Sequence, residues 1–399
     1  MNALQRQRAL SSLDDFAIEL PSWGFADTGT RFGKFFQEAS AIDLNDKLSD
    51  AAQVHRLTGC CPSVAVHVQW DFPKGSDAAA IARKAKGMGI HIGAINPNLF
   101  QDQCYKWGSF GNLDPVVRKR ALQHCIDSIE IGKAVGSDAL SLWFADGTNY
   151  PGQGNIRERK HHFEKALRAC HERLSPTQTM LIEYKPFEPA FYATDIADWG
   201  MACILARKAG PRAKVLVDTG HHYTAQNIEQ IVAWLLDEEM LGGFHFNDRR
   251  YADDDLTLGS IDPYQVFRIF HEIHFFAHER GKMPGIAYMI DQSHNEKPKI
   301  EAMIQTVVMA QELYLKAALV DREALRKAQK SHNVIDAELE LKKAFFTDVG
   351  PLIKKWRSSR KLPLDPMLAH RKSGYEAKAA ADRKRRRQEL GIVQGGSYA

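Results

Sequence analysis

The sequence predicts an α/β chain closed as a (β/α)₈ barrel with a C-terminal helical extension. Three observations lead there. Eight short apolar, β-branched runs recur, and amphipathic stretches separate them. Strands spaced by helices must be parallel neighbours, because a parallel pair needs a crossover connection, and eight is the number that closes a barrel. The alternation then stops near residue 320, and only helical patterns follow. A length of 399 residues would otherwise suggest two domains, but one elaborated barrel fills it. With 44% hydrophobic and 26% charged residues the chain can bury a core, which excludes a disordered or collagen-like polymer. No run of about 18 apolar residues is present, so no membrane span is expected. The first residues show no secretory signal either, so a cytoplasmic protein is expected.

Residues 1–15 form an N-terminal extension ahead of a barrel over 16–320. The eight strands are FAIELPSWGF (16–25), SVAVHVQW (63–70), IHIGAINPN (90–98), ALSLWFAD (139–146), MLIEYKP (180–186), AKVLVDTGHH (213–222), LGGFHFND (241–248) and GIAYMIDQSHN (285–295). Each is short and β-branched or aromatic enough to suit a strand buried on both faces. Helical periodicity fills the gaps, as in 115–136 and 227–240, where apolar residues recur at three and four. Gly136, Gly210 and Gly281 sit where a left-handed helix cap would need them. A doubly wound open sheet competes, but no G-x-G-x-x-G follows an early strand. Residues 321–370 read as the helical extension and 371–399 as a basic, frayed, flexible tail.

That tail is the source of the net charge of +4. It holds eight Lys/Arg against Glu376, Asp382 and Glu389, which leaves the remaining chain close to neutral. The six cysteines are scattered without a C-x-x-C, the pattern of free thiols in a reducing compartment.

Catalytic residues of a barrel sit at the C-terminal ends of its strands. Here the fifth strand ends in Glu183 and Lys185, the sixth in Asp218 and His221, and the eighth in Asp291. His245 lies on the seventh strand, with Asp253 and Asp255 in its exit loop. Converging carboxylates in an apolar barrel need cations. Two divalent metals and Lys185 would neutralise Glu183, Asp218, Asp253, Asp255 and Asp291. Oxygen-rich ligation with two imidazoles suits Mn²⁺, Mg²⁺ or Co²⁺ better than a structural zinc. Singly, each residue has a plainer reading: a helix cap, a solvated acidic loop, or an ion pair between Lys185 and Glu183. Four successive strand ends bearing acid or imidazole favour a metal site. In the first half of the barrel His67, Trp70, Trp143, Trp23 and Phe32 offer an aromatic wall suited to the apolar faces of a sugar. Core packing is the alternative for each of these aromatic residues.

The segments PSWG (21–24), GTRF (29–32), EYKPFEPAFYAT (183–194), LVDTGHH (216–222), GGFHFNDRRYADDDL (242–256) and MIDQSHN (289–295) resemble those of the L-rhamnose isomerases. The match is to the shorter bacterial type in the xylose isomerase-like TIM-barrel superfamily, and it extends through TDVGPL and SGYEAKAAAD to about residue 381. The resemblance implies interconversion of L-rhamnose and L-rhamnulose, with activity on related aldoses. It implies two divalent ions per subunit, Mn²⁺ favoured over Co²⁺, Mg²⁺ or Zn²⁺. Glu183, Asp218, His245 and Asp291 would hold the structural ion. Asp218, His221, Asp253 and Asp255 would hold the catalytic one. Lys185 would stand beside the substrate carbonyl and His67 near the ring oxygen, with Asp255 and Asp291 helping to move the hydroxyl proton. Trp23, Phe32, Trp70 and Trp143 would contact the sugar, Phe32 from a neighbouring subunit of a homotetramer. Residues 99–112 are shorter than in the family, and the RKRRR run (383–387) has no counterpart role. Another sugar isomerase or epimerase, a metal-dependent nuclease-type barrel gripping phosphate with its tail, and a non-catalytic sugar-binding protein are the alternatives. A small sugar partner is expected, with neither nucleic acid nor membrane.

Overall fold

The computed structural model describes residues 3–30, 33–188, 192–251 and 254–392; Phe32 and Asp253 therefore lie outside the described residues. Eight parallel strands form one sheet: β1 (Leu20–Pro21), β2 (Ser63–His67), β3 (His91–Asn96), β4 (Ala139–Leu142), β5 (Thr179–Glu183), β6 (Ala213–Asp218), β7 (Leu241–Phe246) and β8 (Ala287–Ile290). Their spatial order follows the chain. Glu19 bridges to Met289 in parallel, its N–H donating to Tyr288 O at 2.8 Å and its carbonyl accepting from Ile290 N at 3.0 Å, which brings the two edge strands together as a TIM barrel. The helices α1 (Leu44–Thr58), α2 (Ala78–Gly87), α3 (Pro115–Val135), α4 (Ile156–Arg173), α5 (Trp199–Ala209), α6 (Ile228–Asp237), α7 (Pro263–Arg280) and α8 (Lys299–Ala318) follow the strands in turn.

The strand sequences explain the layering. Residues two apart share a face, so Val64, Val66, Ile95, Ile182, Val215, Val217, Phe244 and Phe246 point outward into the large core shared with the helices. Ala65, Ala94, Leu181, Leu216 and Met289 point inward and form a separate buried cluster. Most of the eight helices begin on an Asp or Asn whose side chain takes a first-turn N–H, as Asp43 does from Asp46 and Asn155 from Glu158. Gly136 and Gly281 end α3 and α7 in left-handed conformations, φ 76° and 73°. Gly210, expected to do the same, has φ 149° and ψ 176° instead.

Two expectations are corrected here. The second strand stops at His67, and residues Val68–Asp71 turn into a short helix, so Trp70 sits on that turn and not on the strand. The basic segment 371–392 is not a frayed tail. After α9 (Arg322–Lys330), α10 (Val334–Phe345) and α11 (Gly350–Ser359) come α12 (Pro366–Ser373) and α13 (Tyr375–Glu389). Arg383, Arg386 and Arg387 recur at helical spacing on one face of α13 and meet acids of the barrel's first crossover. Arg383 and Arg387 are buried. The acids that order this helix lie more than 300 residues upstream, so composition alone read it as solvated. Among the described residues no helix is long and apolar enough to cross a membrane.

Candidate active site

The polar members of the inward-facing rows crown the barrel. Above Ala65 stands His67, above Leu181 Glu183, above Leu216 Asp218, and above Met289 Asp291. His245 on β7 is paired in register with Asp218 on β6. One ligand atom each from Glu183, Asp218, His245 and Asp291 lies within 4.8 Å of all the others, a group able to hold a metal ion. His245 Nδ1 stands 3.3 Å from Glu183 Oε2, 3.6 Å from Asp291 Oδ2 and 3.9 Å from Asp218 Oδ2. Both His245 ring nitrogens are buried and complete no hydrogen bond.

The electrostatics of the group describe a site short of positive charge. Burial would lower His245, but the carboxylates of Glu183, Asp291 and Asp218 outweigh it and push the imidazole up to about 9. Burial would raise Glu183, yet His245 and His221 hold it well below the usual carboxylate range. Asp218 is pushed up by burial and by Glu183. Asp291 is pushed up to about 6 by burial, then by Asp218 and Glu183. A proton on His245 thus stands in for a cation. Three carboxylates and one imidazole with unused nitrogens fit a divalent ion that prefers oxygen donors.

Neighbouring groups orient these side chains. Asp218 Oδ1 accepts from Gly220 N at 2.7 Å and from Asn247 Nδ2 at 3.0 Å. Gly220 is required for that approach, since a Cβ there would fall 2.3 Å from Asn247 Oδ1. The Trp23 indole donates to Asp291 Oδ1 at 2.8 Å. His221 Nδ1 lies 3.1 Å from both Tyr184 O and Glu183 Oε1. Asp255 lines the same cavity in the left-handed region, φ 48°, a conformation Asp tolerates better than most residues. Its loop is closed by paired 2.9 Å hydrogen bonds between the backbones of Asp248 and Leu256.

Opposite the acids is an aromatic wall. The His67 ring packs 4.1 Å from Trp70 and 4.8 Å from Trp23, and Phe100 lies 5.1 Å from Trp143. Lys185 Nζ sits 5.1 Å over the Trp143 ring and donates to Glu188 Oε2 at 2.9 Å. Among the described residues the lysine is thus paired with Glu188, a charge absent from the neutrality sum drawn from sequence. Burial, helped by Lys47, pushes His67 down to about 3, so it is neutral at ordinary pH. Behind it Asp71 accepts from Ser22 Oγ, Lys47 Nζ and the His67 backbone N–H at 2.6, 2.6 and 3.0 Å. One buried carboxylate so ties the ends of β1 and β2 together.

The cavity has a volume of about 220 Å³. That is smaller than the roughly 300 Å³ at which drug-sized sites begin, so its occupant is small. It gathers Trp23, His67, Trp70, Trp143, Glu183, Lys185, His221, His245, Asp255 and Asp291. Asp218 lies beneath, fully buried. Sequence reasoning missed Asn96, Phe100, Glu188, Asn247, Asp71 and Lys47. Asn247, two residues past His245, was readable from strand alternation. Lys47 and Asp71 carry no local signal, because their pairing exists only across the fold.

Comparison with known proteins supplies the relationship. The family described as "Xylose isomerase-like TIM barrel" matches residues 63–297, more than half of the chain. A "probable sugar isomerase" of Rhizobium meliloti (strain 1021) is 39% identical over 373 residues, 92% of this chain and 86% of that protein. Among solved structures, a xylose isomerase domain protein from Alicyclobacillus acidocaldarius has a TM-score of 0.52 at 16% identity, over 76% of this chain and 99% of that one. An L-ribulose 3-epimerase has a TM-score of 0.52 at 13% identity, over 79% and 98%. At such identities the structural likeness is one of fold.

Proposed function

The chain belongs to the xylose isomerase-like TIM-barrel family, and from that premise we propose that it is a metal-dependent aldose–ketose isomerase acting on L-rhamnose and L-rhamnulose. The observation that carries the reaction class is the convergence of Glu183, Asp218, His245 and Asp291 within 4.8 Å, facing Lys185 and an aromatic wall. The choice of rhamnose rests on the motif resemblance, with PSWG, EYKPFEPAFYAT and GGFHFNDRRYADDDL its longest parts. Glu183, Asp218, His245 and Asp291 would hold one divalent ion. Asp218, His221 and Asp255, with Asp253, would hold a second. The oxygen-rich set favours Mn²⁺. A divalent ion there supplies Lewis acidity toward the oxygens of an open-chain sugar.

The chain's own residues then divide the work. Neutral His67 takes the proton of the anomeric hydroxyl as the bond between the anomeric carbon and the ring oxygen breaks, and passes it to the ring oxygen. The Lys185 ammonium, held by Glu188 and Trp143, faces the carbonyl oxygen on which negative charge grows. Asp255 or Asp291 helps move the hydroxyl proton from the C2 oxygen to the C1 oxygen as the carbonyl changes place. Trp23, Trp143 and Phe100 cover the apolar face of the sugar and exclude water.

A panel of aldoses and ketoses assayed against a Mn²⁺ titration tests the proposal. The expected result is ketose formed from L-rhamnose, lost on EDTA treatment and restored by metal. Full activity after EDTA treatment refutes the metal dependence. Ketose-to-ketose conversion as the main activity replaces isomerisation by epimerisation. The nuclease alternative loses support, since three of the eight basic residues that were to grip phosphate, Arg383, Arg386 and Arg387, are paired with Asp27, Asp43, Asp46 and Asp50.

A further inference from the structure

We propose that α13 is a strap that holds the excursion between β1 and α1 against the barrel mouth, with Arg383 and Arg387 as positioning residues for the Trp23 side of the cavity. The inference rests on the reading of that cavity as the active site. The excursion begins directly after the turn that carries Trp23 and returns to α1 at Asp43. Its base is closed by Ala41 N donating to Phe25 O at 2.8 Å, and by Gln37 N donating to Asp27 Oδ1 at 2.9 Å. On one flank the Gln37 amide donates to Lys297 O at 2.9 Å, in the loop that leaves β8 after Asp291.

The other flank belongs to α13. Three consecutive backbone carbonyls of the excursion are taken by its guanidiniums. Arg387 donates to Glu38 O at 2.9 Å, Ser40 O at 2.8 Å and Ser40 Oγ at 2.7 Å, and Arg383 donates to Ala39 O. These arginines are anchored in turn. Arg383 forms a bidentate pair with buried Asp50 at 2.7 and 2.9 Å, and Arg386 reaches Asp46 at 2.7 Å. Tyr375 OH adds a 2.9 Å hydrogen bond to Asp50. The planar fork of Arg can hold adjacent acceptors in fixed relation, which one ammonium cannot. The segment is thus gripped from both sides, and the Trp23 turn at its root shares that constraint.

The test compares Arg387→Ala with Arg385→Ala. Arg385 is exposed and among the described residues pairs only with Asp382 and Glu389 of its own helix, so this control removes the same charge from the far side of α13. For Arg387→Ala, hydrogen exchange over residues 26–41 should rise at least tenfold while the barrel strands stay protected. KM for L-rhamnose should rise on the order of tenfold with kcat changed less than threefold, since a loosened wall misplaces substrate before it alters chemistry. Arg387→Lys should recover part of the protection, and Arg385→Ala should behave as wild type. Unchanged exchange over 26–41, a KM that does not move, or an equal effect of Arg385→Ala would each overturn the strap. If the wild-type enzyme turns over no sugar, the isomerase reading fails, and the exchange comparison alone decides whether α13 holds the excursion.

Discussion

Replacing Asp218 by Asn should stabilise the metal-free protein and weaken the metal-bound one. The ligand atoms of Glu183, Asp218, His245 and Asp291 lie within 4.8 Å of one another. At that separation and an effective dielectric of about 20, each carboxylate pair repels by at least about 3 kcal/mol. Asp218 has two such neighbours, while the His245 imidazolium 3.9 Å from Oδ2 attracts it by about 4 kcal/mol on the same scale. Burial adds to the repulsion from Glu183 and outweighs the further attraction of His221, so the charged carboxylate is disfavoured on balance and its pKa is raised. Asn keeps the shape, and its carbonyl oxygen can still accept from Gly220 and Asn247. In urea with EDTA at pH 7.5, where His245 at about 9 retains its proton, the variant should unfold at higher denaturant than wild type. With Mn²⁺ the order should reverse. A hundredfold loss of metal affinity removes about 3 kcal/mol of linked stability. If Asp218→Asn is less stable than wild type in EDTA, or gains as much from Mn²⁺, the account of an overcharged site completed by a cation is wrong.

Lys185→Met should lower kcat/KM on the order of 10²–10³-fold with metal content unchanged, by steady-state kinetics and elemental analysis; loss of metal would contradict its placement at the carbonyl. Trp23→Phe removes the indole donor to Asp291 and should weaken divalent-ion affinity about tenfold or more in a metal titration, the scale of a lost orienting hydrogen bond. His274 on α7, buried 4.4 Å from the Tyr314 ring, is pushed down to about 3 by burial and then by Arg322. Its stabilising contribution is complete above its unfolded value near 6.5 and is lost as pH falls toward 3. His274→Phe should therefore reduce the stability lost between pH 7 and pH 5 by about 2 kcal/mol, read from urea unfolding at both pH values. An unchanged loss would count against a buried neutral imidazole there.

Much of the candidate site was legible because barrel chemistry is local in sequence. A strand buried on both faces is a short apolar run, and the first polar residue beyond it marks the barrel mouth. Glu183, Asp218 and Asp291 stand at or just past their strand ends, His245 one residue inside its own, and the structure brings all four together. Trp70 was misplaced for a related reason: VHVQW continues the apolar pattern, but Asp71 captures the His67 N–H and Ser22, and the chain turns into a helix. Glu188 was overlooked because an acid three residues past Lys185 looks like any loop residue until the exit loop folds back.

By itself the sequence determined the (β/α)₈ barrel and the inward rows that carry acid and imidazole to its mouth. Strand alternation and crossover chirality act over a few residues to a few tens, and composition records them. Only the tertiary structure decided how the basic C-terminal segment is used. Arg383, Arg386 and Arg387 had the composition of a solvated tail, and Asp27, Asp43, Asp46 and Asp50 that of a polar crossover. Their pairing spans more than 300 residues and depends on α10, α11 and α12 returning α13 to the first crossover. The partner of Lys47 was hidden for the same physical reason. A buried ion pair is selected by the space between packed elements, and no spacing along the chain encodes it.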